Sequence, residues 1–578
     1  MQSETKICQN CKKDFTIESE DFNFYEKIKV PPPTWCPECR LIRRMVSRNE
    51  KSLYHKKCEL CKENTISMYT ENSSFKVYCR QCWLSDKWDG FFFGKDYDWS
   101  KPFFVQLGEL MLSVPKVAIV QYHQNINSKF NNFIADGRNV YLSNAAVSCE
   151  NVSYSNNIDK SRDTLDSLYV KNSELCFENI DSSENNNCLY LFKSRSCLDC
   201  RYLFDCVNCK DCFMSSNLRN KQFIFYNLQL TKNKYFKKIT EIQFGSYKIS
   251  EKLKEEFSNL KTSSLHRFAN LAKTTNCDGD NILNSKNVHY SFNIYDSENI
   301  KYCTRSLGAK DSYDTRASVY GELLYEVITP GYYSFRTFFS TFGEQLLDSR
   351  YCDWCHNSSN CFACVGLRNK KYCVLNKQYT KEQYEELVPK IIKHMNAMPY
   401  IDSKGRIYKY GEFFPPELSP FCYNETIAQE YFPLTKEEAL KQGYKWKDKE
   451  ERNYTIDIKT EEISDNIKDV KDEIIGKVIE CEHQGTCNEQ CTEAFKIIQE
   501  EFTFYKRMNL PLPHLCPNCR HYQRLKQRNP LKLWHRQCMC DKENHLHKGK
   551  CEIKFETTYA PERPEIIYCE KCYQQEVY

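Results

Sequence analysis

Sixteen cysteines near the two ends of the chain have the spacing of metal ligands. The clearest set is Cys8-x2-Cys11 with Cys36-x2-Cys39, and a second set, Cys58, Cys61, Cys79 and Cys82, follows at once. Two tight turns separated by a hairpin's length of chain place four thiolates in a tetrahedron, the ligand set of structural zinc. The segment Cys36-Pro37-Glu38-Cys39-Arg40 recurs 480 residues later as Cys516-Pro517-Asn518-Cys519-Arg520. Its flank travels with it: FNFYEKIKVPPPTWCPECR (22–40) becomes FTFYKRMNLPLPHLCPNCR (502–520). In this second copy the same offset lands on Asn488, so the third set reads as Cys487-x3-Cys491 with Cys516 and Cys519, leaving Cys481 and His483 spare. The fourth reads as Cys538-x-Cys540 with Cys569-x2-Cys572, and Cys551, His545 and His547 lie between the pairs. The expected cofactor is Zn2+, about four per chain.

Disulfides are the rival use of so many cysteines, but they need an oxidising compartment. The opening MQSETKICQNC has no apolar h-region and no cleavage pattern. No apolar run approaches a membrane span. The expectation is a cytoplasmic protein with no membrane partner.

Behind each knuckle runs an arginine stripe at helical spacing. Arg40, Arg44 and Arg48 share one face, and the other copy keeps Arg520, Arg524 and Arg528. Guanidiniums so placed can hold phosphates by paired hydrogen bonds. They can equally offset the negative charge of a four-thiolate zinc. The aromatic run Trp83 to Trp99, with Phe91-Phe92-Phe93, reads as core that docks one domain on the next.

The elements that must hold these ends lie between them. Residues 139–236 resemble 287–384: Leu218-Arg219-Asn220-Lys221 returns as Leu367-Arg368-Asn369-Lys370, and Glu150-Asn151-Val152 as Glu298-Asn299-Ile300. Inside the first copy runs a twelve-residue beat, Cys176, Cys188, Cys200 and Cys212, with Cys197 and Cys209 in the same step. A short fixed period of turn residues and apolar residues is the pattern of a β-solenoid, with like residues stacked in cysteine and asparagine ladders. One beat is a narrow coil or half of a wider one. The expected fold is mainly β, with tandem zinc ribbons at both ends flanking a duplicated β-solenoid-like region with inserted helices. The boundaries are ribbons at 1–50 and 51–95, repeats at 100–236 and 281–395 with a helical insertion at 237–280, a capping element at 396–446, a charged linker at 447–480, and ribbons at 481–530 and 531–578.

Length and charge narrow the function. A chain of 578 residues holds several domains, and a net charge of +5 makes any nucleic-acid footprint a local one. There is no HExxH, no Walker loop, no GxSxG and no deaminase pattern. FxFYxKxxxPxPxxCPxCRxxxR, the Leu-Arg-Asn-Lys segment and the ending TTYAPERPEIIYCEKCYQQEVY together resemble a family of tandem zinc-ribbon proteins from candidate-phyla, Patescibacteria-like bacteria. The resemblance runs the whole length. It implies a bacterial cytosolic protein with zinc ribbons and brings no activity with it. The favoured reading is a zinc-binding, non-enzymatic protein that contacts RNA or DNA through its arginine-striped ribbons. The alternative is a structural or protein-interaction scaffold in which the ribbons cap a rigid solenoid.

Overall fold

In the sequence, small residues and Asn recur at fixed steps, and the backbone follows them. The computed structural model describes residues 2–449 and 454–578. The protein is mainly β, with twelve α-helices among the described residues. Two large sheets, of fifteen and eleven strands, run over Gln121–Gln229 and Leu271–Gln378, and nearly all their pairings are parallel. As a rule a residue pairs with the one twelve later: Asn144 with Asn156, Cys176 with Cys188, Cys361 with Cys373. One turn carries thirteen, setting Glu322 opposite Phe335. Twelve residues therefore bring the chain back beside itself, and one beat is one turn.

Within a turn the beat is three. Ser143, Ala146, Cys149, Val152, Ser155 and Ile158 are all buried. The residue before each of them, Leu142, Ala145, Ser148, Asn151, Tyr154 and Asn157, has a positive φ. Four such kinks in a twelve-residue turn leave a narrow interior, filled by Ser, Cys, Val and Ala with an occasional Ile or Leu and no aromatic ring. Buried hydroxyls are satisfied between turns: the Ser155 N–H donates to Ser143 Oγ at 3.1 Å and the Ser167 N–H to Ser155 Oγ at 3.0 Å. Left-handed backbone costs an ordinary residue roughly 1–2 kcal/mol, and Asn and Asp tolerate it best. Asn139, Asn151 and Asp163 take the same kink in successive turns and bond from turn to turn at 2.9 and 2.7 Å. The expected asparagine ladder is this column. The cysteines stack too, and Cys176 and Cys188 donate to the carbonyls of Asn185 and Cys197 at 3.8 and 3.4 Å.

The helices cross between copies. Phe103–Ser113 leads into the first sheet but packs on the second, where Phe103 meets Tyr351 and Phe362 at ring distances of 5.1 and 5.6 Å. Tyr247–Ser263 leads into the second sheet but packs on the first, with Phe257 5.7 Å from Tyr202. Each helix is followed by a short strand that pairs with a ribbon: Lys116–Val117 with Val77–Tyr78, and Leu265–Arg267 with Ile566–Tyr568. The helix within 237–280 is thus the counterpart of Phe103–Ser113 rather than an extra insertion.

The stretch 447–480, expected as a solvated linker, lies on the fold where it is described; residues 450–453 fall outside the described residues. Ile463, Ile467, Val470 and Ile474 are buried with Phe502 and Tyr505 of the third ribbon, one apolar anchor every three or four residues in an otherwise charged run. The capping element joins the ends of the chain. In its helix Ile427–Tyr431 the Ile427 N–H donates to the Arg48 carbonyl (3.1 Å), and Glu430 meets His521 at 3.3 Å. Among the described residues no helix is long and apolar enough to cross a membrane.

Candidate metal centres

Each ribbon begins with a cysteine whose sulfur accepts the N–H of the ribbon's third cysteine. Cys8 accepts from Cys36 at 3.2 Å, Cys58 from Cys79 at 3.2 Å, Cys481 from Cys516 at 3.2 Å and Cys538 from Cys569 at 3.1 Å. The third cysteine also caps a helix, Pro37–Met45 after Cys36 and Pro517–Lys526 after Cys516, with proline at the first helical position. Hairpin and helix start together hold four sulfurs in one place. The sets are Cys8, Cys11, Cys36, Cys39; Cys58, Cys61, Cys79, Cys82; Cys481, Cys491, Cys516, Cys519; and Cys538, Cys551, Cys569, Cys572, with the ligand atoms of each within 4.8 Å of one another.

The first two sets match the sequence reading, while the other two take in Cys481 and Cys551, which that reading left as spare residues; Cys540 falls instead in a further group with His545, His547 and Cys572. Cys481 takes the place expected of Cys487, and Cys551 the place expected of Cys540. The reason is loop length: the first knuckle spans 8–11 and 58–61 in the leading ribbons but 481–491 and 538–551 in the trailing ones. A constant offset of 480 cannot find both ends of an expanded loop. The usable signal was the strand immediately before the cysteine, Glu4–Ile7 in the first ribbon and Ile479–Glu480 in the third. Cys487 stands beside the third set, 3.7 Å from Cys519. Cys481→Ser is therefore expected to remove one zinc per chain and Cys487→Ser none, read by elemental analysis of the purified variants.

The donor sets fit zinc. Hydrogen bonds from Cys36 and Cys39 hold the Cys8 thiol far below its usual range, while the same contacts push Cys39 far above it. Four such thiols ionise together only around a cation. All-thiolate tetrahedral sites select zinc over harder ions. Four-cysteine clusters compatible with zinc binding thus stand at both ends of the chain.

The six arginines do not face outward. Arg40 and Arg44 are 1% and 0% exposed and both bind Asp314, at 2.9 and 3.1 Å, with Glu326 3.5 Å from Arg44. Arg48 binds Glu50 at 2.5 Å and Thr329 at 2.6 Å and lies over Phe133. Arg520 and Arg524 both bind Asp166, at 2.5 and 2.8 Å, with Glu178 3.3 Å from Arg524. Arg528 binds Asp181 at 3.0 Å over the Tyr169 ring. These are corrections to the phosphate-binding role expected of Arg40, Arg44, Arg48, Arg520, Arg524 and Arg528, whose charge is taken up inside the molecule. Burial pushes the Glu50 carboxyl up, but Arg48, Arg316 and Arg305 outweigh it and hold it at about 2. Burial also pushes Glu326 up, and there the neighbouring guanidiniums only partly offset it.

The pairing is itself duplicated. Arg40 and Arg44 correspond to Arg520 and Arg524, and Asp314, Glu326 and Tyr302 to Asp166, Glu178 and Tyr154. Tyr302 lies 5.3 Å from Arg40, as Tyr154 lies 4.7 Å from Arg520. The second and fourth ribbons repeat the rule: Arg368 stacks on Trp83 and Trp88, and its repeat counterpart Arg219 donates to Tyr573 at 2.9 Å. The N-terminal ribbons therefore grip the second sheet and the C-terminal ribbons the first. Sequence reasoning missed these carboxylates. Asp166 and Glu178 lie just after short strands and Asp314 and Glu326 near the ends of theirs, and only the fold brings them to an arginine.

No protein-family model matches the chain, and no curated protein does.

Proposed function

We propose that this chain is a zinc-dependent structural scaffold, a duplicated β-solenoid whose two halves are locked by ribbons reaching across from the opposite end. The observation that carries this reading is the burial of both arginine stripes, with Arg40, Arg44, Arg520, Arg524 and Arg528 set against carboxylates of the distant sheet. Solenoids need covered ends, and each ribbon pair covers one copy. A zinc held by four protein thiolates has no open position for a substrate. Net charge near neutrality fits a protein partner at least as well as a nucleic acid.

The test is a titration of the zinc-loaded protein with single- and double-stranded RNA and DNA at several salt concentrations. The scaffold reading expects nothing tighter than non-specific binding, with a Kd of about 1 to 100 μM at physiological salt. A nanomolar, salt-dependent complex would overturn it.

A further inference from the structure

We infer that the last ribbon holds two metal ions, bridged by the thiolate of Cys572. Two four-ligand clusters share that sulfur: Cys538, Cys551, Cys569 and Cys572 on one side, and Cys540, His545, His547 and Cys572 on the other, each with ligand atoms within 4.8 Å of one another. Cys572 stands at the first turn of the terminal helix Glu570–Val577, between the two.

The second cluster comes from added sequence. In the second ribbon six residues (58–63) join the hairpin strands Tyr54–Lys57 and Asn64–Ser67. In the fourth ribbon sixteen (538–553) join Trp534–Gln537 and Lys554–Thr557. The longer loop retains Cys538 and Cys551 for the four-cysteine site and adds Cys540, His545 and His547 within it.

Both imidazoles are set as ligands. His545, whose side chain is 2% exposed, bonds Glu576 through Nε2 at 2.9 Å and turns Nδ1 to the Cys540 sulfur at 3.1 Å. His547 donates from Nδ1 to the Gly549 carbonyl at 2.8 Å, and its Nε2 is buried with no protein partner. Metal-binding histidines characteristically give their second ring nitrogen to a carboxylate or carbonyl, which fixes the tautomer and aims the other lone pair at the ion. Here both do. Charge agrees: one divalent ion among five thiolates leaves three negative charges uncompensated, and a second ion leaves one. The second site is Cys2His2 in composition, which zinc takes readily.

The experiment uses the full chain, purified with zinc and dialysed against zinc-free buffer. Metal per chain is counted by mass spectrometry. The wild type is expected to hold five zincs and the His545→Ala/His547→Ala variant four, with unchanged circular dichroism. Cobalt in place of zinc gives the second readout. The wild-type spectrum minus the variant's should be that of a tetrahedral cobalt with mixed sulfur and nitrogen ligands. Four metals in the wild type overturn the inference whether or not the variant folds. Equal counts in a folded variant overturn it as well.

Discussion

Arg524→Ala is expected to cost the protein about 3–5 kcal/mol, the usual consequence of removing one partner of a buried ion pair. Its guanidinium and Asp166 are both 0% exposed, so alanine leaves a carboxylate in a dry interior with only Arg520 to share. Arg44→Ala should behave alike, because Asp314 and Glu326 are equally buried. The double variant should be the worst, since the two clamps grip different sheets. An arginine kept for phosphate would be exposed, and its loss would move stability by less than about 0.5 kcal/mol. Urea midpoints separate the two cases. Exchanging the whole pair for packed apolar residues, Arg524→Met with Asp166→Leu, should be much milder than either single change, because no buried charge is then left alone.

Stripping the zinc is expected to have the larger effect. Zinc supplies about 10–16 kcal/mol to small ribbon-like folds, and such folds have little core of their own. Here the loss would not stay local. The helix Pro37–Met45, capped by Cys36, carries Arg40, Arg43 and Arg44, so a melted knuckle also withdraws the cations from Asp314, Glu326 and Glu412. A strong chelator should therefore abolish the near-ultraviolet dichroism of Trp35 and Trp83, both buried beside ribbons, and raise protease sensitivity along the sheets. Loss confined to the ribbons would mean that the sheets stand without them.

The parts legible in the sequence were those fixed by local spacing. The unbroken Cys-x2-Cys pairs located two ribbons outright, and the twelve-residue cysteine beat matches the pairing of Cys176 with Cys188. What escaped was of two kinds. Where loops grew, as at 481–491 and 538–551, the clustered cysteine moved away from the expected offset. Where the answer lay in another part of the fold, one-dimensional pattern gave half of it. The arginine stripes were visible, but Asp166 and Asp314 were not, because their partners lie more than 250 residues away and nothing in the local sequence sets them apart from neighbouring acids such as Asp163 and Asp311. The three-residue inner beat was hidden for a similar reason. Ser, Cys, Val and Asn alternate at the inward positions, so neither hydrophobicity nor a repeated letter marks them.

If each ribbon pair is held by the distant copy, the molecule should survive a cut in its chain. A protease site placed after Lys449, whose side chain is exposed, would separate the C-terminal ribbons from everything before them. The cut, zinc-loaded protein should still elute as one species under native conditions, and the pieces should part when Arg520 and Arg524 are both replaced by alanine. A C-terminal piece that leaves the column alone, with its arginines intact, would mean that the ribbons are not held by the distant copy.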